Sequence, residues 1–375
     1  MRILYLTQYF PPEIGATQTR AYEMARGLVK QGHEVTLLTE FPNHPVGIIP
    51  PEYQGKWYEK ADLEGIEVLR LWVKASPHKS FRTRILFYLS YMFMAIWAGL
   101  FLVRGKYDVI YATSPPLFTG AAGLVLSVLK RTPLVFEVRD LWPESAVQLG
   151  ELNNSLAIRL SEWLEHLCYR RAVKMVAVTK GIKESLVRRG YADEDIALIP
   201  NGANTELYVP QETAHPIRQQ LGIPLDNFVV VYTGLHGLAH GLETVVDTAD
   251  ILRDQTDISF LLVGNGPRKA DLIELAAAKG LSTITFQEAV PEIELPAYIA
   301  ASDIGLDSRR RIGISHGTLP VKMFSYMACA RPVLLAIEGE AADLLENAQA
   351  GVAVPMEDAP ALAAAILKLK ANPEQ

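Results

Sequence analysis

The chain has 375 residues, 49% of them apolar and 21% charged, with a formal net charge of -6 at pH 7 and two cysteines. That length exceeds what one hydrophobic core ordinarily supports and points to two domains, while the composition excludes disordered, collagen-like and coiled-coil classes. The acidic balance excludes a protein whose main work is coating nucleic acid, and the widely separated Cys168 and Cys329 exclude a disulfide scaffold and suit a reducing, cytoplasmic compartment.

Residues 2–7 read as a strand and not as a secretory signal, because Gln8 and a double proline end a short apolar run. Residues 17–31 carry Ala21, Met24, Ala25, Leu28 and Val29 at helical spacing and close at Gly32. Further β-branched runs at 34–39, 66–71, 107–112, 133–138 and 174–178 alternate with helical stretches that include 155–171. Around residues 199–210 the periodicity stops and turn residues concentrate, which divides the chain into domains 1–200 and 201–375. The pattern restarts with strands at 228–233, 258–263, 283–286, 303–306, 332–337 and 351–354, and helices that include 242–252 and 359–370. This alternation predicts two doubly wound α/β domains, Rossmann-like, with their strand carboxyl ends facing a central cleft.

One segment does not fit an ordinary enzyme. From Ile85 to Val103 there is no charged residue, and Lys79, Arg82, Arg84, Arg104 and Lys106 flank the run. It is long enough to cross a bilayer.

Three stretches could carry chemistry. The loop QYFPPEIGATQT at 8–19 joins the first strand to the first helix, and Gly15 and Ala16 would let a ligand approach helix-terminal amides. It reads equally as a phosphate or sugar loop and as an ordinary βα turn. In GTLPVKMFSYMACARP at 317–332, Gly317, Thr318 and Pro320 enter a helix and Lys322 can reach an anion at its mouth, the alternative being a lysine solvated on a helix face. In VRDLWPE at 138–144, Asp140 and Glu144 follow a strand, where carboxylates can orient hydroxyls or act as a base, or simply form a solvated turn packed by Trp142. His236 and His240 are four apart, but Gly237 and Gly241 oppose a continuous helix, so a zinc site is not expected. His240 or His316 instead reads as a hydrogen-bond donor near the cleft, with its charge set by a neighbouring phosphate.

Taken in order, ILYLTQYFPPEIGA at 3–16, YDVIYATSPP at 107–116, FEVRDLWPESA at 136–146, IPNGANTELY at 199–208, VVYTGLHGLAHGLE at 230–243, LLVGNGP at 261–267 and GTLPVKMFSYMACARPVL at 317–334 resemble a glycosyltransferase of the two-Rossmann GT-B type. The resemblance is to family 4, the retaining nucleotide-sugar transferases, nearest the branch that adds amino or deoxy sugars to lipid-linked bacterial polysaccharide intermediates. It implies an acceptor-binding first domain and a second domain that binds a nucleotide diphosphate sugar, usually UDP-linked, with neither metal nor cofactor. It places Gly234 at a phosphate-facing loop, Val290 and Pro291 near the base, and Gly317, Thr318, Leu319 and Lys322 on the diphosphate, with Gly15 and Ala16 closing over it. It also implies a final helix crossing back onto the first domain, of which the sequence to Gln375 shows nothing.

Three positions depart from the family pattern. Its paired glutamates fall on Gly317 and Ser325, its Arg and Lys after the first strand of the second domain fall on Leu235 and His240, and a histidine of the first domain falls on Thr113. Ser325 can still bond a ribose hydroxyl, more weakly than a carboxylate, and Lys322 with Arg309, Arg310 and Arg311 can replace the missing charge. Lys322 would stabilise the leaving diphosphate, with Asp140 and Glu144 orienting hydroxyls. The rival readings are a non-catalytic nucleotide-sugar-binding or regulatory subunit and a nucleotide-sugar epimerase. In this fold residues 85–103 cannot span a bilayer, because strands before and after them must share a sheet. They are expected to pack as a helix with one face exposed, which with the flanking basic residues would dock on the cytoplasmic leaflet.

Overall fold

The computed structural model describes residues 1–375 except 14, 45, 79, 149, 151, 212–214, 312–316, 318 and 373–375. The chain divides into two compact units, Met1–Pro200 and Asn201–Gln375. The first runs β1 (Arg2–Leu6), α1 (Ala16–Lys30), β2 (Glu34–Glu40), β3 (Tyr58–Leu63), β4 (Ile66–Leu71), α2 (Phe81–Phe101), β5 (Val109–Ser114), α3 (Leu117–Lys130), β6 (Leu134–Val138), α4 (Glu144–Gln148), α5 (Ser155–Arg171), β7 (Ala172–Ala177), α6 (Lys180–Arg188) and β8 (Ile196–Leu198). Among the described residues its sheet has the order β3-β4-β2-β1-β5-β6-β7-β8.

All pairings in this sheet are parallel except β3 with β4. The parallel run ends at that edge for a local reason. Glu64 and Gly65 both adopt positive φ, 52° and 82°, the turn chemistry that returns a strand on its neighbour after two residues. The partner strand YEKADL is largely exposed and charged, as an edge strand should be. Buried β1 and β6 instead read as largely apolar runs, as parallel strands covered on both faces do.

Helix α2 packs on this sheet. Tyr91, Ala95 and Ala98 are fully buried and Tyr91 Oη donates to Leu38 O at 2.9 Å, whereas Leu86, Phe93, Trp97 and Phe101 form an exposed stripe on the other side. It is long and apolar enough to cross a membrane. Yet β1 pairs with β2, which precedes α2, and with β5, which follows it, so α2 cannot carry the chain across a bilayer between them. Arg82, Arg84, Arg104 and Lys106 are exposed at its ends; Lys79 lies outside the described residues.

The second unit runs α7 (His215–Gln220), β9 (Phe228–Thr233), α8 (Leu242–Ile251), β10 (Ile258–Val263), α9 (Lys269–Ala278), β11 (Ile284–Gln287), α10 (Leu295–Ala300), β12 (Ile304–Ser308), α11 (Val321–Ala328), β13 (Val333–Ala336), α12 (Glu340–Asn347), β14 (Gly351–Val354) and α13 (Ala359–Ala371). Its sheet has the order β11-β10-β9-β12-β13-β14 and is parallel throughout. Apolar residues cover both faces: Leu242, Val245, Val246 and Ala249 of α8 pack with Leu362 and Ile366 of α13 in one core, and Met323 and Tyr326 of α11 lie in the other.

Candidate functional site

Open α/β sheets bind ligands outside their strand carboxyl ends, where the strand order reverses. In the second unit that point lies between β9 and β12. Three segments converge there: the loop after β9, the end of β12 with Asp307 and Arg309, and the first turn of α11 with Lys322 as its second residue. Lys322 Nζ lies 2.9 Å from Asp307 Oδ1, and Arg309 Nη2 lies 3.3 Å from Asp307 Oδ2. The same ammonium stands 3.6 Å from the centroid of the Tyr232 ring, within cation–π range. Arg309 Nη1 donates to His240 Nδ1 at 3.1 Å.

Tyr326 anchors α11 in this position. Its ring lies against Gly305, where a Cβ would come within 2.2 Å of it, and its Oη accepts from Thr233 N at 2.9 Å and donates to Leu306 O at 3.3 Å. Two glycines let the loops close on Lys322. Gly234 has φ 129° and a Cβ there would stand 3.3 Å from Lys322 Nζ; Gly264 has φ 149° and its Cβ would meet Gly234 O at 1.9 Å. Only glycine tolerates that backbone and that approach.

The electrostatics favour an anion. Burial alone would raise the carboxyl of Asp307, but Arg309 and Lys322 outweigh it and hold the group below the usual carboxylate range. Burial lowers the Lys322 ammonium to about 8, with Asp307 opposing the shift. Burial, then Lys322 and Arg309, push His240 down to about 2, so its imidazole is neutral and accepts through Nδ1. Among the described residues, burial and these two cations set the charge of His240. No side chain among the described residues caps the α11 amino terminus, and a lysine in a first turn opposes the helix dipole. Uncapped amides, an ammonium and a guanidinium at one place suit a phosphate.

The other expected donor residues are distributed along the same strand ends. Leu319 is buried and its carbonyl accepts from Asn201 Nδ2 at 3.0 Å; Gly317 is half-buried. Thr318 and His316 lie outside the described residues. Ser325 is buried, and its hydroxyl is hydrogen-bonded to the Tyr208 phenol, which donates to Glu292 Oε1 at 3.4 Å. Val290 is buried and Pro291 exposed, both after β11. Of the three arginines at 309–311, Arg309 reaches Asp307, whereas Arg310 approaches Glu243 and Arg311 approaches Glu338. Sequence reasoning passed over Asp307, Tyr232 and Tyr326. A lone carboxylate inside the apolar strand IGLDS was the available signal for the first.

In the first unit, Gly15 precedes α1 and a Cβ there would meet Gln18 Oε1 at 2.6 Å; Ala16 is the first helical residue. Asp140 follows β6, accepts from Ser145 Oγ at 2.7 Å, and is raised by burial. Glu144 has a partner that the sequence did not show. Its carboxylate is paired with Arg189, which also holds Glu165 at 3.2 Å, so its charge serves an ion-pair network among α4, α5 and the end of α6. A cluster not anticipated lies at the ends of β1 and β2. Glu40 accepts from Gln8 Nε2 at 2.7 Å and Asn43 Nδ2 at 2.8 Å, and Glu13 Oε1 accepts from the amides of Asn43 and His44, both at 2.7 Å. Burial raises both carboxyls.

Comparison with known proteins agrees with this architecture. Residues 15–202 match the model of a glycosyl transferase 4-like domain, and residues 227–372 that of glycosyl transferases group 1. A protein of Escherichia coli (strain K12) named as a colanic acid biosynthesis glycosyl transferase, WcaI, is 26% identical over 364 residues, 95% of this chain and 88% of that one. Alpha-monoglucosyldiacylglycerol synthase of Acholeplasma laidlawii is 22% identical over 327 residues, 82% of this chain and 74% of that one. The crystal structure of Anabaena HepE in complex with UDP and glucose shares the fold, with a TM-score of 0.72 at 20% identity over 98% of this chain and 89% of that one. The two matched domains, with parallel α/β sheets in both units, make this chain a member of the glycosyl transferase 4-like, group 1 family of GT-B glycosyltransferases.

Proposed function

We propose that this glycosyltransferase moves a sugar, of hexosyl or N-acetylhexosaminyl type, from a nucleoside diphosphate donor, UDP-linked, to a lipid-linked or saccharide acceptor in bacterial polysaccharide biosynthesis, with retention at the anomeric carbon and without a metal. The observation that carries it is the pairing of Lys322 and Arg309 at the uncapped terminus of α11. As the bond from anomeric carbon to diphosphate oxygen breaks, negative charge grows on the leaving group. An ammonium, a guanidinium and helix amides fixed in advance stabilise that charge without reorganisation. Relatives named for colanic acid and diacylglycerol products support a polymer or lipid-borne acceptor. Asp140, at the end of β6 in the first unit, is the candidate for orienting hydroxyls.

A panel of UDP-, GDP- and dTDP-sugars with lipid-linked acceptors, run in chelator, tests this reading. Transfer is expected from a UDP-sugar with product of the donor's anomeric configuration by NMR. Donor binding without transfer to any acceptor would favour the non-catalytic reading, which the glycine and serine at the family's glutamate positions motivate.

The same reading puts α2 on the inner face of the cytoplasmic membrane. Its exposed Phe93 and Phe101, 62% and 68% accessible, lie among flanking arginines and a lysine that anionic lipid attracts. The chain is expected to float with phosphatidylglycerol vesicles at low salt, and Phe93→Glu with Phe101→Glu to abolish this with little change in melting temperature, since both side chains face solvent. Failure of the unaltered chain to float contradicts the docking.

A further inference from the structure

We propose that Asp307 is a positioning residue of the donor site: a buried carboxylate that holds Lys322 and Arg309 side by side beneath the α11 terminus, so that two cations present one prealigned face to the departing diphosphate. The inference rests on the donor-site reading above and adds the residue through which that site is built.

The geometry assigns each carboxylate oxygen its own cation, Oδ1 to Lys322 and Oδ2 to Arg309. Asp307 has no exposed surface, whereas the side chains of Lys322 and Arg309 keep 13% and 15% of theirs. The carboxylate therefore lies below and the cations lie at the surface. Neither contact has the alignment of a hydrogen bond, and among the described residues Lys322 Nζ has no hydrogen-bond partner at all. Neutral groups confine the pair from the other sides: Tyr232 under the ammonium, His240 against the guanidinium, and Tyr326 on the next turn of α11. Two cations around one carboxylate leave a positive charge in a largely desolvated place. As a device for stability this is poor, because burial costs each ion its hydration. As a site awaiting a phosphate anion, that residual positive charge together with the helix amides is what attracts the ligand.

Substituting Asp307 removes a negative charge from an anion site, so electrostatics and positioning predict opposite effects on binding and on turnover. In Asp307→Asn, UDP affinity by calorimetry at mildly acidic pH, where both cations are charged, is expected to stay the same or tighten. With the donor that supports transfer, kcat is expected to fall on the order of 10- to 100-fold, as misplacement of catalytic groups does. The carboxylate also favours the protonated form of Lys322, alongside the opposing Arg309 and the more distant neutral His236. The alkaline limb of kcat/KM, expected near the Lys322 value of about 8, should therefore move to lower pH in the variant. Because a buried substitution can impair folding, Arg309→Met is measured alone and combined with Asp307→Asn. If Asp307 acts through Arg309, the two losses in kcat are less than additive. Unchanged kcat, or a parallel loss of kcat, UDP binding and melting temperature with the alkaline limb in place, overturns the positioning role while leaving the donor site intact. If the unaltered chain binds no nucleoside diphosphate and transfers no sugar, the donor-site reading itself fails, and this inference with it.

Discussion

Lys322→Ala is expected to lower kcat/KM for the sugar donor by about two orders of magnitude, the usual cost of deleting one preorganised group that stabilises charge in a transition state. The loss should appear mainly in kcat, because the ammonium meets more negative charge as the diphosphate departs than in the ground state. Melting temperature should change little. Lys322 is a cation in the first turn of α11, where the dipole opposes it, and its removal leaves Asp307 paired with Arg309. Steady-state kinetics with the donor identified by the panel checks this, with Lys322→Arg as companion: a retained charge in a different shape should recover part of the rate. Turnover within a few-fold of the unaltered chain would remove Lys322 from the mechanism.

The largest effect on stability is expected in the first unit, at Glu137→Ala. Glu137 lies on β6 with no exposed surface and accepts from Arg20 Nε at 3.1 Å and Arg20 Nη2 at 3.2 Å, from the Tyr111 hydroxyl, and faces Arg139 at 3.7 Å. Arg20 in turn donates to Ile199 O at 2.8 Å and Pro200 O at 3.0 Å. One carboxylate thus joins α1, β5, β6 and the end of the unit. Removing it strands a guanidinium whose side chain is 9% exposed, and breaking a buried pair from one side costs about 3–5 kcal/mol. Urea unfolding followed by circular dichroism should show a midpoint well below that of the unaltered chain. Arg20→Met with Glu137→Leu should restore part of it, since only Arg139 then lacks its carboxylate, and its guanidinium keeps the carbonyls of Thr17 and Pro115 as acceptors. A midpoint unchanged by Glu137→Ala would mean the residual charge finds water.

Most of the element order was legible in the residues. Strands 228–233, 258–263 and 351–354 and the helix 155–171 match the structure residue for residue, because long apolar runs punctuated by glycine and proline carry their own periodicity. The antiparallel β3 was missed, since its exposed YEKADL lacks a buried face to create a pattern. The short β8 was missed because it has three residues.

The site divided along a similar line. Gly317 and Lys322 could be picked from helix-terminus chemistry, which is local: a glycine, a first turn and a cation within a few positions; Gly234 came from the family resemblance. Glu144 and His240 looked equivalent to them as side chains near strand ends. Their side-chain partners lie far along the chain, Arg189 for the first and Arg309 for the second.

Local order in the sequence is therefore enough to establish two α/β units, most of their strands and the cation in the first turn of α11, because hydrophobic period and backbone chemistry act between near neighbours. Which charges cooperate was decided only when the sheet in the second unit folded with β12 beside β9. That pairing brings Asp307 and Arg309 to the same strand edge as Gly234 and His240, and α11 then lays Lys322 over Tyr232. Coulomb interactions depend on separation in space and on burial, and neither can be read from separation along the chain.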